Sequence, residues 1–251
     1  MSRSTEVLYS NDDYLVRYPV HSPRKYMVSQ HLQDKGLEFT TEFVEYPDIE
    51  PVCKELGVKP TSKKEDGTDL YTLPAIYDPS TGVYVADSFP IAQYLDKTYP
   101  DTPPIFPRNT VGLHRAFTLS FAQHIEPLWD FIIPYTCFML NPRSSEYFRR
   151  TREASFGKTM EELIPKGDGA VGNWDVLREG FSKIAYVYSF TDDMGPFLMG
   201  DEITWGDLLL CSFLSWMKIV WGEDDQKWKD VMKWDGGRWE RLFNDLQKYA
   251  V

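Results

Sequence analysis

A two-part architecture follows from three observations on the 251-residue chain: strand and helix signals alternate over the first hundred residues, prolines crowd 100–107, and long helical patterns fill the rest. The predicted class is α/β plus all-α. A βαβ-ββα unit at 1–99 is followed by a linker at 100–108 and an all-helical part at 109–251.

Taken in order, Val7-Leu8-Tyr9 reads as a short strand. A helix follows, with Ser22 at its cap, Pro23 in its first turn, a stripe of Met27, Val28, His31 and Leu32, and Gly36 as its stop. Residues 39–44 form the second strand, 52–56 a short helix, and 58–71 an exposed, lysine-rich loop. Strands at 75–77 and 83–85 flank the hairpin loop Asp78-Pro79-Ser80-Thr81-Gly82, and Ile91, Tyr94 and Leu95 mark a helix ending near Tyr99. Four prolines in 100–107 suit an extended linker rather than a core element. Helices are then expected near 108–140, 144–164, 173–190, 205–221 and 238–249, with Thr204 and Asp207 at capping-box spacing.

Composition narrows the partners. A net charge of −11 without a basic run disfavours nucleic acid and anionic membranes. The first residues lack a signal-peptide core, and no stretch approaches the roughly 18 apolar residues of a membrane span, so a cytoplasmic protein is expected. Cys53, Cys137 and Cys211 are odd in number, widely spaced and in apolar company, which predicts core thiols without disulfides or a metal site. The eight tryptophans all follow residue 128, marking the second half as a different kind of packing.

Two short motifs carry the chemistry. In Leu73-Pro74-Ala75-Ile76, a proline that cannot donate to a sheet ladder marks a strand start, often with a cis bond, and leaves the Leu73 main chain facing outward. Asp87-Ser88 opens a helix, where free amides and a hydroxyl suit a small carboxylate. Together they suit a peptide-like ligand gripped by its main chain. No G-x-S-x-G elbow accompanies His21-Ser22, which disfavours a hydrolase.

The order of elements, with Tyr71-Thr72-Leu73-Pro74-Ala75-Ile76, Asp87-Ser88 before Ile91-Ala92-Gln93-Tyr94-Leu95, and Phe197-Leu198-Met199-Gly200-Asp201-Glu202-Ile203-Thr204-Trp205-Gly206-Asp207, resembles the cytosolic glutathione transferase superfamily over nearly the whole chain. His21-Ser22-Pro23, Lys35-Gly36-Leu37, 44–51 and 95–100 are most similar to the fungal etherase-related transferases. The resemblance implies a thioredoxin-like first domain, a homodimer, and glutathione as co-substrate with no metal. It implies that Leu73 pairs its main chain with the cysteinyl backbone while Pro74 holds that edge open, that Thr72 is glutathione-binding, and that Ser88 meets the γ-glutamyl carboxylate and Asp87 its amino group. Lys63 or Lys64, or Arg24 or Lys25, would meet the glycyl carboxylate.

Ser22, at the start of the first helix, is the first candidate for activating the thiol, and Tyr9 the second. Tyr14, Tyr18 and His21 lie in the stretch 11–21, which reads as a loop longer than the family's usual connection. Serine, unlike cysteine, cannot form a mixed disulfide, so conjugation or thiolate-mediated ether cleavage is favoured over reduction. The electrophile would meet Phe117, Phe121, His124, Trp129 and Phe138 at the first helices of the second part. The alternatives are a ligandin that holds phenolic or hydrophobic molecules without turnover, and a regulatory protein with a vestigial site.

Overall fold

The computed structural model describes residues 14–19 and 23–247, with side chains from Met27 onward. A four-stranded sheet forms in the order β2-β1-β5-β6. β1 (Tyr14–Pro19) is parallel to β2 (Phe39–Val44) and antiparallel to β5 (Ala75–Asp78), so Val16 stands opposite both Thr41 and Ile76. β6 (Val83–Ala86) closes the hairpin expected around Asp78–Gly82. The carboxylate of Asp78 holds that loop, accepting hydrogen bonds from Ser80, Tyr94 and Tyr99.

A strand stands within the stretch 11–21 that reads as a loop. It is the central strand, 14–19, and Val7–Tyr9 lies outside the described residues. Tyr-Leu-Val-Arg-Tyr is rich in aromatic and β-branched residues, which suit a strand. It has two ladder partners, and Pro19 closes it before α1 (Pro23–Asp34).

α1 carries Val28 and Leu32 against Ile76 of the sheet and Ile91 and Leu95 of α3 (Ser88–Thr98), which makes one buried cluster. Gly36, at φ 67°, supplies the left-handed residue that ends α1, where the amide of Leu37 returns to the Leu32 carbonyl. α2 (Ile49–Glu55) begins three residues earlier than expected, after a 3₁₀ turn at Tyr46–Asp48. The lysine-rich stretch is a small hairpin of β3 (Ser62–Lys63) and β4 (Asp69–Leu70), not a structureless loop.

The helical part comprises α4 (Val111–His124), α5 (Leu128–Met139), α6 (Pro142–Phe156), α7 (Met160–Leu163), α8 (Gly167–Tyr188), α9 (Trp205–Trp221) and α10 (Gln226–Leu246). The helix expected at 108–140 is two, divided at Pro127, which lacks the N–H to continue a helical ladder. The one expected at 144–164 is also two: left-handed Gly157 ends α6, and Thr159 and Glu162 form a capping box for α7. α10 starts twelve residues before the expected 238 and is broken at 234–237 by four non-helical residues. Gly180 allows a close helix contact, since a Cβ there would stand 2.0 Å from the His124 carbonyl oxygen of α4. The three cysteines are core thiols, as expected.

The proline run is anchored rather than loose. Ile105 and Phe106 are buried, and their amides donate to Asp96 on α3 at 3.3 and 2.9 Å. Lys35 Nζ, just after α1, meets the same carboxylate at 2.9 Å and also donates to Thr102 Oγ1 and the Pro103 carbonyl, while His31 Nε2 stands 3.4 Å from Asp96. Burial opposes the charge on Asp96, yet the contacts from His31 and Lys35 outweigh it and bring its pKa to about 2. Next along the chain, the Ile105 carbonyl accepts the amide of Trp205, the first residue of α9.

The expected capping box is present there. Thr204 N and Oγ1 donate to Asp207 at 2.9 and 2.7 Å, and the other carboxylate oxygen accepts Tyr188 Oη and the Leu198 amide. Burial raises the Asp207 carboxyl, and these donors pull it back.

Two outcomes follow for stability. Removing the Asp96 carboxylate leaves the Lys35 ammonium buried without its counter-charge, so Asp96→Ala is expected to cost about 3 kcal/mol and to lower the thermal midpoint by roughly 10 °C, read by circular dichroism. His114 is 2% exposed, and its ring nitrogens have no partner among the described residues. Burial lowers its pKa to about 4 from the ordinary 6.5. Because the neutral form is the folded one, stability is complete above pH 6.5 and falls as pH drops toward 4, by up to about 3 kcal/mol. In His114→Leu, the urea midpoint should lose that part of its dependence on pH.

Candidate active site

The Leu73–Pro74 peptide bond is cis, as its position at the start of β5 suggested. The Leu73 side chain is buried among Val44, Ile49, Cys53, Val58 and Ala75. Among the described residues, no hydrogen bond engages the Leu73 amide or carbonyl, so its main chain is an unused edge while its side chain is anchored.

Asp87 and Ser88 stand beside that edge. The Asp87 amide donates to the Pro74 carbonyl at 3.0 Å, which joins the two motifs directly. Asp87 is held at φ 71°, ψ 132°, a conformation that costs a residue other than glycine about 1–3 kcal/mol. Its carbonyl accepts the Ile91 amide, and its carboxylate lies 3.4 Å from Ser88 Oγ. Ser88 is buried at the first position of α3, where helix amides point outward. Strained backbone held by specific bonds at a helix start is a pattern met at binding sites.

The other expected residues divide. Thr72 Oγ1 lies 2.9 Å from Thr61 Oγ1, which ties the approach to Leu73 to the β3–β4 hairpin. Lys64 Nζ donates to Glu50 Oε2 at 3.2 Å, and Lys54 meets the other oxygen at 2.7 Å. Hydrogen bonds from Lys54 and then Lys64 hold the Glu50 carboxyl below its ordinary range. Lys63 pairs with Asp69. Both hairpin lysines are thus engaged with carboxylates, and the partner of Lys64, Glu50, lies on α2, whose Ile49 and Cys53 pack with Leu73. Ser22, Tyr9 and His21 lie outside the described residues, as do the side chains of Tyr14, Tyr18, Arg24 and Lys25. α1 does begin at Pro23, directly after Ser22 in the chain.

On the helical side, Phe117 and Phe121 of α4 are neighbours with ring centroids 6.4 Å apart, and Phe121 is fully packed in the core. His124 is half-buried at the end of α4, against α8. Trp129 is half-buried at the start of α5, whereas Phe138 is exposed near its end, under Arg149, and does not join the others.

The sequence reading missed Phe213 and Trp216 of α9. With Trp129 they form a triangle of rings, each pair 6.0 Å apart, and Phe213 also meets Phe121 at 5.1 Å. The signal was their spacing of three on one helix, obscured because nearly every residue of α9 is apolar. The Trp216 indole nitrogen is buried without a partner.

The arrangement thus offers a main-chain edge, a helix start suited to an anion, and cationic side chains nearby, with an aromatic cluster on the helical side. The family model for the glutathione S-transferase C-terminal domain matches residues 112–249. A glutathione S-transferase-like protein, ustS, of Aspergillus flavus is 34% identical over 226 residues, covering 85% of this chain and 79% of the relative. The structure of CsGST63524 from Ceriporiopsis subvermispora, in complex with glutathione, superposes with a TM-score of 0.90 at 39% identity, covering 95% of this chain and 98% of that one. GSTFuA3 from Phanerochaete chrysosporium gives 0.89 at 36% identity, covering 96% and 99%. By sequence, by element order and by superposition over nearly its full length, the chain belongs to the glutathione S-transferase family.

Proposed function

We propose that this chain is a serine-type glutathione transferase. It stabilises the glutathione thiolate with Ser22 and joins it to hydrophobic aromatic compounds, or uses it to cleave aromatic ethers. The observation that carries the reading is the hydrogen bond from the Asp87 amide to the Pro74 carbonyl, which makes the open Leu73 edge and the α3 start one surface. An extended cysteinyl residue pairs with Leu73 as an added strand. The γ-glutamyl carboxylate meets Ser88 and the first amides of α3, with its amino group at Asp87. The glycyl carboxylate draws Lys64 from Glu50, or meets Arg24. Structures of two relatives of similar identity contain glutathione, which supports the same ligand here.

Catalysis requires the thiolate, since the thiol is a poor nucleophile. An ordinary thiol has a pKa near ~8.5, and lowering it by about two units takes roughly 2.7 kcal/mol of preference for the anion. A hydroxyl donor to a charged acceptor contributes about 1.5–3 kcal/mol, and a helix start about 0.3–1 kcal/mol. Ser22 combines both because α1 begins at the next residue. The electrophile then approaches from the helical side, along Phe117, His124 and Trp129. The reading extends to domains at 1–99 and 109–251 joined by 100–108, a homodimer, and a cytoplasmic location. Among the described residues no helix is long and apolar enough to cross a membrane.

The test is retention on immobilised glutathione followed by turnover of an aryl halide. The wild type is expected to be retained and active. Ser22→Ala should still be retained but lose about 100-fold in kcat, the equivalent of the thiolate preference. Unchanged turnover in that variant would move the role to Tyr9, retention without turnover in the wild type would favour a ligandin, and no retention would overturn the assignment. Asp87→Gly separates strain from binding: it should raise unfolding stability by about 1 kcal/mol by relieving the positive φ, while weakening glutathione binding severalfold in a calorimetric titration.

A further inference from the structure

α6 begins far from the sheet in sequence, yet its first turn is bound to the segment that leaves β2. Glu45, the residue after β2, accepts Asn141 Nδ2 at 2.7 Å and the Ser144 hydroxyl. Ser144 Oγ in turn accepts the Tyr46 amide at 3.0 Å. Arg143 grips Asp48 with both terminal nitrogens, the second at 2.5 Å. Asn141 makes no side-chain cap of its own for α6, so Glu45 and Asp48, two carboxylates from a different element, occupy the positive end of that helix. Ser144 is fully buried, and Tyr46 packs edge-on against Phe148 at 5.2 Å.

This contact leads to the candidate site. Tyr46 is the residue that packs against both the helical core and the cluster that buries Leu73. Ile49 and Cys53 of α2 belong to the Leu73 cluster directly, and Glu50 of the same helix holds Lys64. One segment, 45–55, therefore backs the Leu73 edge and carries the partner of Lys64, and its near end is fixed by α6.

We infer that α6 is a strap that positions the glutathione-side wall, and that Glu45 is its anchoring residue. Glu45 touches no substrate. It sets the height of the 46–48 turn, and through it the Leu73 edge and the Glu50–Lys64 pair, so its loss should appear in glutathione affinity and not in the chemical step. The inference rests on the proposed glutathione reading.

The test uses the full chain and compares wild type, Glu45→Ala, Glu45→Gln, Arg143→Ala and, as a distant control, Arg238→Ala, whose partner is Asp192. Calorimetric Kd for glutathione, KM for glutathione and for the aryl halide, kcat, and the thermal midpoint are measured on each. Glu45→Ala is expected to raise Kd and KM for glutathione by about five- to tenfold, with kcat and the aryl-halide KM unchanged. Glu45→Gln should recover most of the affinity, because an amide still accepts from Asn141 and pairs with the rotatable Ser144 hydroxyl. Arg143→Ala, at an exposed site, should give a smaller change in the same direction and carries the test if Glu45→Ala does not fold; Arg238→Ala should change neither constant. A lowered thermal midpoint with unchanged glutathione Kd in Glu45→Ala would overturn the inference, as would equal losses for both substrates. Failure of the wild type to bind glutathione would overturn the functional reading itself, before any variant is compared.

Discussion

The carboxylate of Asp96 is the point on which the two halves of the molecule turn. It gathers the Lys35 ammonium at the end of α1 and the amides of Ile105 and Phe106 from the connecting run, with the His31 imidazole 3.4 Å away. A largely buried charge is tolerated only when it is paired and hydrogen-bonded, and here the Lys35 ammonium supplies the pairing and the two amides the hydrogen bonds. From Ile105 the bonding passes to the Trp205 amide, then through the Thr204–Asp207 box to Tyr188 and Leu198. α1 and α9 are thereby held at both ends of one hydrogen-bonded chain, and the buried contact of Gln30 with Cys211 Sγ at 3.4 Å lies between them. The network therefore fixes α1, whose start follows the proposed Ser22, against α9, whose Phe213 and Trp216 pack on Trp129.

That network also explains which parts were legible in the sequence. Pro74, the Asp87-Ser88 pair, the 78–82 hairpin loop and the Thr204–Asp207 box each solve a local problem, such as a missing amide, a free helix end or a tight turn, and local problems leave local residue signatures. Ile105 and Phe106 sit in a stretch whose four prolines signal an extended linker, yet the helical core with Phe89 and Trp205 buries them and Asp96 of α3 holds their amides. The strand at 14–19 was not legible as one because a sheet position is set by its two neighbours, β2 and β5, which pair with it from 25 and about 60 residues away. Glu45 and Ser144, 99 residues apart, carry no mutual signal at all. The aromatic residues gave type without position: Phe121 and Phe138 look alike in sequence, yet one is core and the other faces solvent.

The candidate site divides its work between rigid and exchangeable contacts. Leu73 is fixed by its side chain, so its main chain is available at no cost in further ordering, which is how a preformed edge gains affinity. Lys64, by contrast, is exposed and already paired with Glu50, so a ligand carboxylate must compete for it. Exposed ion pairs are worth little, about 0–1 kcal/mol, which makes that exchange nearly free. Binding by the main chain and helix start is therefore expected to dominate over binding by charge.

Departures from ideal packing separate by position. Asp87 holds a positive φ where glycine would rest easily, and its amide and carbonyl are both used to keep it there; the strain is supported by specific bonds at the mouth of α3. Among the described residues, His114 and Trp216 leave polar atoms buried and unpaired. Evolution toward stability alone would relieve all three, since each relief is a single substitution. The Asp87 strain is the one coupled through a hydrogen bond to the Leu73–Pro74 edge, so relieving it disturbs the ligand surface, whereas relief at His114 changes only the core. A strained residue that the surrounding bonds preserve, beside an edge that no hydrogen bond uses among the described residues, is the physical argument for the proposal that glutathione binds at the junction of β5 and α3.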